Sequence, residues 1–269
     1  MGKTQAALPE KRDKPVIQSI KRASDILQLF LTEKDALGIT DMSRMLGLAK
    51  TTIQGIVTTL VMLNYLERDP VTSRYRLGPM LLQLGMKYAI NKDFVTIGKA
   101  WMERLSFQFN CQVNLGLLVG NRVVVALRVE PENKYMTFPY TGSVIPAHTT
   151  CIGKVLYANL DKRNRTKLLR DYKYEALTDN SIKNAKEFES ALEKVREQGV
   201  SFDNEENFTG MAGVGGPIFN HVGDVIAAFA IVGGVSFIRE KRKDIVDAVK
   251  YTSQMASSQL GYDRLIFKR

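Results

Sequence analysis

The 269-residue sequence has few of the residues that build metal sites and disulfide frameworks. It contains two Cys, two His and one Trp. Two thiols as far apart as Cys111 and Cys151 do not make a disulfide framework in a chain of this length. A structural zinc site needs four Cys or His ligands, and no short spacing here supplies them. We therefore expect no metal and no other cofactor.

Long apolar runs are missing as well. The least charged stretch, Val225 to Ile238, has 14 residues and is interrupted by Gly233 and Gly234, whereas a helix that crosses a bilayer needs about 20. Only Ala6-Ala7-Leu8 precedes Pro9 as an apolar segment, so no signal-peptide core is predicted. We expect a cytoplasmic protein without a membrane partner.

Acidic residues are in deficit, with 28 Asp and Glu against 38 Lys and Arg, a net charge of +10. Residues 1–22 carry six basic and two acidic side chains, and residues 1–16 are predicted to form a flexible basic arm. Such an arm is an ordinary solvated tail unless a DNA-binding motif follows it. The whole chain has 45% hydrophobic residues, and its length predicts two folded domains.

A helix-turn-helix pattern does follow the arm. Apolar residues recur at helical spacing from Ile20 to near Glu33, and Thr40 is the expected N-cap of a second helix that Gly47 ends. A third helix is predicted from Lys50 to Asn64. Residues 65–68 and 74–77 alternate like strands around turn-forming residues 69–73. Three helices and a hairpin predict a winged helix-turn-helix domain over residues 17–78.

The third helix has a short, polar face opposite its apolar stripe. Thr and Gln side chains there can contact base edges in the major groove, while basic side chains at the helix start and in the wing can neutralise phosphates. The predicted DNA-binding residues are Lys50, Thr51, Thr52, Gln54, Gly55, Thr58 and Arg74. An alternative keeps the winged helix but uses it to bind protein or RNA. The same face is also what the solvent side of a small helical bundle looks like.

The rest of the chain predicts an α+β domain with an antiparallel sheet, residues 93–269, after a linker helix within residues 79–92. Its predicted helices cover residues 93–109, 152–160, 163–170, 185–198 and 239–260. The predicted strands cover residues 113–119, 123–129, 213–219 and 225–232.

The sequence resembles the IclR family of bacterial transcriptional regulators from about Ile17 to Leu260. In the first domain the likeness lies in residues 19–23, 47–53 and 75–78. In the second it lies in two signatures: Gly142-Ser143-Val144-Ile145-Pro146-Ala147-His148 with residues 153–156, and Asp203-Asn204-Glu205-Glu206 with Gly210 and residues 216–219. The resemblance implies a GAF-like effector domain, a homodimer or dimer of dimers, and control of genes for the uptake or breakdown of small carbon compounds.

The resemblance also implies an effector site. Backbone groups at the positions of Cys151 and Ile152 contact the effector in the family, in keeping with the attraction of a helix start for anions. Members that bind small oxygenated acids have an acidic residue at the position of Asp203, Cys at that of Gly213, and Ser at those of Ala230 and Val232. Because only Asp203 keeps this polar character, we expect a carboxylated or polar-headed effector with a larger apolar or aromatic body.

A Cys-dependent enzyme is the rival class. Cys151 lies three residues after His148, and a thiol near a helix start can have a lowered pKa. No third residue that would orient His148 is identifiable, so His148 is expected to close the loop structurally and Lys154 to be an exposed charge. A regulator without catalytic activity is the preferred hypothesis. The effector, the operator, the choice of dimer or tetramer, and repression or activation stay open.

Overall fold

The structure is a computed structural model that describes residues 16–31, 36–90, 93–131 and 139–263. The predicted basic arm lies almost wholly outside these ranges. The chain divides into two compact units between residues 88 and 89. The domain limits predicted at residues 78 and 92 stay predictions.

The first unit begins with three helices around one small core. They are α1 (Gln18–Leu29), α2 (Ile39–Leu46) and α3 (Lys50–Met62). Each helix is amphipathic and turns its apolar side inward. The buried core side chains are Ile26, Phe30, Leu37, Met42, Ile53, Val57, Leu60, Leu66 and Tyr75.

The start of α2 differs from the prediction. Its N-cap is Gly38 rather than Thr40, which lies inside the helix. The cause is Asp41, whose Oδ2 accepts the N–H of Gly38 at 3.1 Å and so satisfies a free donor at the helix start. Gly47 ends α2 as predicted, with φ at +66°.

The other two helices end earlier than predicted. α1 stops at Leu29, while the end predicted near Glu33 falls outside the described residues. α3 stops at Met62 because the chain turns at Asn64, which has a φ of 59°.

A hairpin completes the winged helix. β1 (Leu66–Arg68) pairs antiparallel with β2 (Tyr75–Leu77), and Leu37 bridges Tyr75 to tie the hairpin to the helices. In the turn, the Asp69 carboxylate accepts two backbone N–H groups at 2.9 Å each. These bonds to the charged form lower the pKa of Asp69.

The helix α4 (Pro79–Ile90) follows the wing. Proline suits its first position, where a backbone N–H would have no intrahelical acceptor. Within the described ranges, no helix taken singly has the length and apolarity to cross a membrane. The pair α2 and α3 meets those criteria only when joined across a bend of 118°.

The second unit is built on a six-stranded antiparallel sheet. Its strands are β3 (Gln112–Val119), β4 (Arg122–Val129), β5 (Val144–Pro146), β6 (Ser201–Asn204), β7 (Met211–Phe219) and β8 (Val225–Gly234). They lie in the order β5-β4-β3-β8-β7-β6. The expected α+β architecture with an antiparallel sheet is confirmed.

Helices cover both faces of this sheet. They are α5 (Asp93–Phe109), α6 (Cys151–Ala158), α7 (Lys162–Leu169), α8 (Ala185–Gln198), α9 (Val235–Glu240) and α10 (Arg242–Gln259). One buried core joins α5 and α10 to the sheet, and a second joins α6 and α8 to its other face. α6 is buried along its whole length.

The sequence prediction failed in two places here. β5 and β6 were not predicted, because strands of three and four residues are too short to show alternation. The single helix predicted over residues 239–260 is two helices, α9 and α10, separated at Lys241.

Candidate DNA-binding face and effector site

The helix α3 presents its predicted polar residues to solvent. Its apolar residues Ile53, Val57 and Leu60 are buried in the core of the first unit. Thr52 is half-buried. The exposed residues of the predicted set are Lys50, Thr51, Gln54, Gly55 and Thr58. The structure thus gathers five of the seven predicted residues on the exposed side of one helix.

The middle of this face is open. Gln54 Nε2 donates to Thr58 Oγ1 at 3.3 Å, so the two side chains lie side by side. A Cβ added at Gly55 would meet no heavy atom within 4 Å. The backbone of α3 is therefore accessible next to these two polar side chains.

The Arg74 guanidinium, predicted to bind a phosphate, already has partners within the first unit. Its Nη1 donates to the carbonyl of Ala36 at 3.1 Å, and its Nη2 lies 3.5 Å from Asp41 Oδ2. Its charge is therefore shared with a carboxylate.

Two further wing cations were missed. Arg68 donates to Ser73 Oγ at 3.0 Å, and an Arg76 nitrogen lies 3.8 Å from Asp69 Oδ2. The signal was present in the sequence, because both arginines stand in the two strand-like segments of the hairpin.

In the second unit, strand pairing aligns two rows of residues on the sheet face that carries α6. One row runs Asp203, Gly213, Val232 and Gln112 across four strands. The next row runs Ser201, Gly215, Ala230 and Asn114. Directly paired residues of antiparallel strands share a face, and Ser201 Oγ donates to the carbonyl of Cys151 at 2.8 Å. Both rows therefore face the start of α6.

A small cavity, here called the inner cavity, lies between these rows and α6. Its volume is about 40 Å³, far below the ~300–1,000 Å³ of most ligand pockets. Its wall is formed by Asn114, Pro139, Ile145, Thr150, Cys151, Ile152, Asp203, Asn207, Phe208, Met211, Ala230 and Val232. Five of the six predicted effector residues are therefore brought together. Sequence reasoning missed the polar residues Asn114 and Asn207.

The start of α6 supplies donors to this cavity. The side chain of the N-cap Thr150 accepts the N–H of Gly153 at 3.1 Å, and the first backbone bond of the helix joins Lys154 N–H to the Thr150 carbonyl. The N–H groups of Cys151 and Ile152 precede this first bond and lie at the positive end of the helix. They suit an anion or a carbonyl oxygen.

Asp203 is the acidic group of the cavity wall. Its Oδ1 accepts the N–H of Glu206 at 2.8 Å. Burial raises the pKa of Asp203 to about 7, against the opposing charge of Lys154. This carboxyl can therefore donate or accept a hydrogen bond near neutral pH.

Lys154 was predicted to be an exposed charge, and this is wrong. Its side chain is buried, and Nζ lies 2.6 and 2.7 Å from the two carboxylate oxygens of Glu206. A charge on the buried helix α6 requires such a partner. Glu206 comes from the second sequence signature, so this ion pair joins the two signatures behind the cavity.

His148 fixes the loop before α6. The Tyr172 hydroxyl accepts the backbone N–H groups of Ala147 at 2.8 Å and His148 at 3.2 Å. Its own proton therefore points to His148 Nδ1, 2.8 Å away, and Nε2 donates to the Glu175 carbonyl at 3.0 Å. Burial lowers the pKa of His148, in keeping with this neutral form.

Gly213 is the one predicted effector residue absent from the cavity wall. A Cβ there would lie 2.9 Å from the Ile231 carbonyl and 3.3 Å from Cys151 Sγ. The volume expected from the missing side chain is thus already filled by the thiol and by Val232, whose Cγ2 would lie at 3.4 Å. Gly213 therefore adds no open space to the inner cavity.

Comparison with known proteins matches both units. Residues 19–70 match the IclR helix-turn-helix domain, and residues 86–258 match the bacterial transcriptional regulator IclR C-terminal domain. The chain is 32% identical over 252 residues to the HTH-type transcriptional regulator XynR of Escherichia coli, which covers 94% of this chain and 98% of that protein.

Two solved structures from the same family have a similar fold. The IclR transcriptional regulator from Alicyclobacillus acidocaldarius has a TM-score of 0.80 at 26% identity, over 91% of this chain and 100% of that one. An IclR homolog from Microbacterium hydrocarbonoxydans, crystallised with 4-hydroxybenzoate, has a TM-score of 0.79 at 19% identity, over 90% of this chain and 98% of that one. At that identity the likeness shows the fold alone. The chain belongs to the IclR family of transcriptional regulators, with a helix-turn-helix DNA-binding domain followed by an effector-binding C-terminal domain.

Proposed function

We propose that this regulator recognises its operator through the exposed face of α3 and positions itself through the wing. The observation that carries this is the row of short polar side chains, Thr51, Gln54 and Thr58, on the side of α3 that faces away from the core. Side chains of this kind can contact base edges when the helix lies in the major groove. Lys50 and the arginines of the wing are assigned to phosphates.

Binding to specific and random duplexes tests these roles separately. Alanine at Thr51, Gln54 or Thr58 should reduce the preference for the operator by about 1 to 3 kcal/mol where the residue contacts a base. Lys50→Ala should weaken binding to every duplex and reduce its salt dependence. Arg74→Ala should do so less, because the Arg74 charge is shared with Asp41. If all five variants bind both duplexes like the parent, another face contacts DNA.

We also propose that a carboxylated or polar-headed compound with an apolar or aromatic body controls this DNA binding. Its head lies at the N–H groups of Cys151 and Ile152 and beside Asp203, which all line the inner cavity. Ala230 and Val232 offer its body an apolar wall. The 4-hydroxybenzoate in the Microbacterium homolog is a compound of this class.

Calorimetric titration tests the effector proposal. Benzoate-like acids should bind more tightly than glyoxylate or pyruvate, and bound acid should change the affinity for operator DNA. Replacing both Ala230 and Val232 by Ser should weaken the aromatic acids, since two polar groups would then face an apolar body. Tight binding of the small acids together with no response to the aromatic ones would reject the proposed effector class.

Catalysis by Cys151 is disfavoured by its surroundings. Burial raises the pKa of the Cys151 thiol, the opposite of what a nucleophile needs. Both ring nitrogens of His148 are engaged, by Tyr172 and by Glu175. We accordingly propose a non-enzymatic regulator that acts on operator DNA in the cytoplasm as a homodimer or dimer of dimers.

A further inference from the structure

A second, much larger cavity adjoins the inner cavity. This outer cavity has a volume of about 490 Å³, within the ~300–1,000 Å³ that small-molecule pockets usually have. Its wall is formed by Phe109, Asn110, Cys111, Gln112, Arg128, Glu130, Pro131, Met211, Val232, Gly233, Gly234 and Phe237. Met211 and Val232 also line the inner cavity. The two spaces are therefore neighbours on either side of these two side chains.

Strand register continues from one cavity into the other. Asp203 of the inner wall and Gln112 of the outer wall stand in one cross-strand row, with Val232 next to Gln112. Gln112 Nε2 donates to Asn114 Oδ1 of the inner wall at 2.9 Å. A molecule that extends along this row passes from Asp203 to Gln112 without leaving the sheet face.

Gln112 also presents a polar atom without a partner. Its side chain is 3% exposed, and among the described residues Oε1 has no hydrogen-bond donor. Buried acceptors are normally satisfied, and an unpaired one is costly. A hydroxyl or N–H group on a ligand in the outer cavity would satisfy it.

We propose that the outer cavity holds the apolar or aromatic body of the effector, with a hydrogen-bond donor on that body directed at Gln112 Oε1. This inference rests on the proposed effector site, which supplies the place of the polar head. The inner cavity, at about 40 Å³, accommodates the head and the atoms of the body next to it, which lie against Ala230 and Val232, and the rest of the body needs the outer cavity. The outer cavity offers the aromatic side chains Phe109 and Phe237 and the flexible Met211 as contacts.

The first test compares three carboxylates by calorimetry on the full chain: pyruvate, 2-naphthoate and 6-hydroxy-2-naphthoate. Both naphthoates should bind at least about tenfold more tightly than pyruvate because they bury a ring system. The hydroxyl should add about fivefold through its bond to Gln112 Oε1. Binding of pyruvate without the naphthoates would overturn this inference and keep a small-acid site. If none of the three carboxylates binds, both this inference and the proposed effector site at the start of α6 are overturned.

A side chain that fills the outer cavity should remove the affinity that the ring system adds over pyruvate. A Cβ at Gly234 would meet no heavy atom within 4 Å, and the residue lines the outer cavity. Gly234→Phe should therefore lower naphthoate affinity to the level of pyruvate and leave pyruvate affinity unchanged. Gly234→Ala is the matched control and should keep naphthoate affinity. Parent-like naphthoate affinity in Gly234→Phe would place the body elsewhere.

The hydrogen bond is tested by the difference between the two naphthoates. Gln112→Leu should abolish the advantage of the hydroxyl, whatever it does to the affinity of 2-naphthoate. Ser106→Ala is the control, because Ser106 Oγ is also buried without a partner among the described residues and does not line the cavity. If the advantage of the hydroxyl persists in Gln112→Leu, the assigned acceptor is wrong.

Discussion

Asp203 is a buried carboxyl whose titration should affect stability. Its pKa of about 7 in the folded chain lies above the ordinary 3.8, so the folded state holds this proton more tightly than the unfolded state does. The contribution of Asp203 to the free energy of unfolding is therefore largest at low pH and falls as the pH rises from about 4 to 7.

Thermal unfolding at pH 5 and pH 8 measures this effect. The difference in melting temperature between Asp203→Asn and the parent should shift in favour of the variant from pH 5 to pH 8. Asn stays neutral over this range and still accepts the N–H of Glu206. Asp161→Asn is the control, because the pKa of Asp161 is lowered by its bonds at the start of α7 and the residue stays ionised over this range. An Asp203→Asn curve that runs parallel to the parent would exclude a buried, titrating Asp203.

The buried pair of Lys154 and Glu206 should matter far more than an exposed pair. Lys154→Met leaves the Glu206 carboxylate, whose side chain is only 13% exposed, without its cation, at a cost of up to about 3 to 5 kcal/mol in unfolding free energy. Adding Glu206→Gln should recover part of this loss. Lys21→Met breaks the exposed pair with Asp25, whose nitrogen and oxygen lie 2.8 Å apart, at about 0.5 kcal/mol or less. Urea unfolding that gives equal losses for Lys154→Met and Lys21→Met would contradict the buried pair.

At the scale of a helix, a substitution at Gly55 should change the stability of the chain and its affinity for DNA in opposite directions. Glycine inside a helix costs about 0.5 to 1 kcal/mol relative to alanine, and a methyl group at Gly55 meets nothing within 4 Å. Gly55→Ala should therefore stabilise the chain. If the DNA backbone approaches α3 at this point, the same methyl group should weaken operator binding.

Gly85→Ala is the matched control for Gly55→Ala. Gly85 lies in α4, and a Cβ there also meets nothing within 4 Å. It should give a similar gain in unfolding free energy without the loss of DNA affinity measured for Gly55→Ala. Equal operator affinities of the two variants would show that Gly55 is not a point of close approach.

The elements that the sequence predicted well carry local signals. The limits of α5 and α8 match the prediction at both ends. In α8 the signals are visible in the chain: Asn184 accepts the N–H of Glu187 at 3.0 Å, and Gly199 ends the helix in a left-handed conformation. Caps and helical periodicity involve residues within one or two turns of each other, so a linear reading detects them.

The parts that were missed depend on distant partners. β5 and β6 are strands because β4 and β7 pair with them. Asn114 reaches the inner cavity through its pairing with Ala230, and Gln112 reaches the outer one through its pairing with Val232. Such a register is set by tertiary packing and leaves no mark in the local sequence. The burial of Lys154 was missed for the same reason, since Glu206 lies 52 residues away.

At the scale of the whole molecule, exposed apolar residues on α4 predict self-association. Leu82 is 65% exposed and Leu84 is 50% exposed, while Leu81 is half-buried. The side chain of Met86, in the same helix, lies outside the described residues. Leu81 and Leu84 are three residues apart and lie on the same side of α4, whereas Leu82 lies on another side. Apolar side chains grouped on one side of a helix are typical of an interface, and a two-fold dimer presents two recognition helices to matched half-sites.

The expected state is a homodimer on an inverted repeat, and sedimentation with footprinting tests it. The parent should sediment at twice the mass of one chain or more, and protect two half-sites about one helical turn, ~34 Å, apart. The double variant Leu81→Glu and Leu84→Glu should sediment as a monomer and lose operator affinity, because charges in an apolar seam remain unpaired. Val71→Glu, at an exposed valine in the wing, should leave the mass unchanged. Weak operator binding by a variant that still sediments like the parent would mean that α4 acts on DNA binding without forming the seam. A monomeric parent that protects a single, unrepeated site would exclude the dimer altogether.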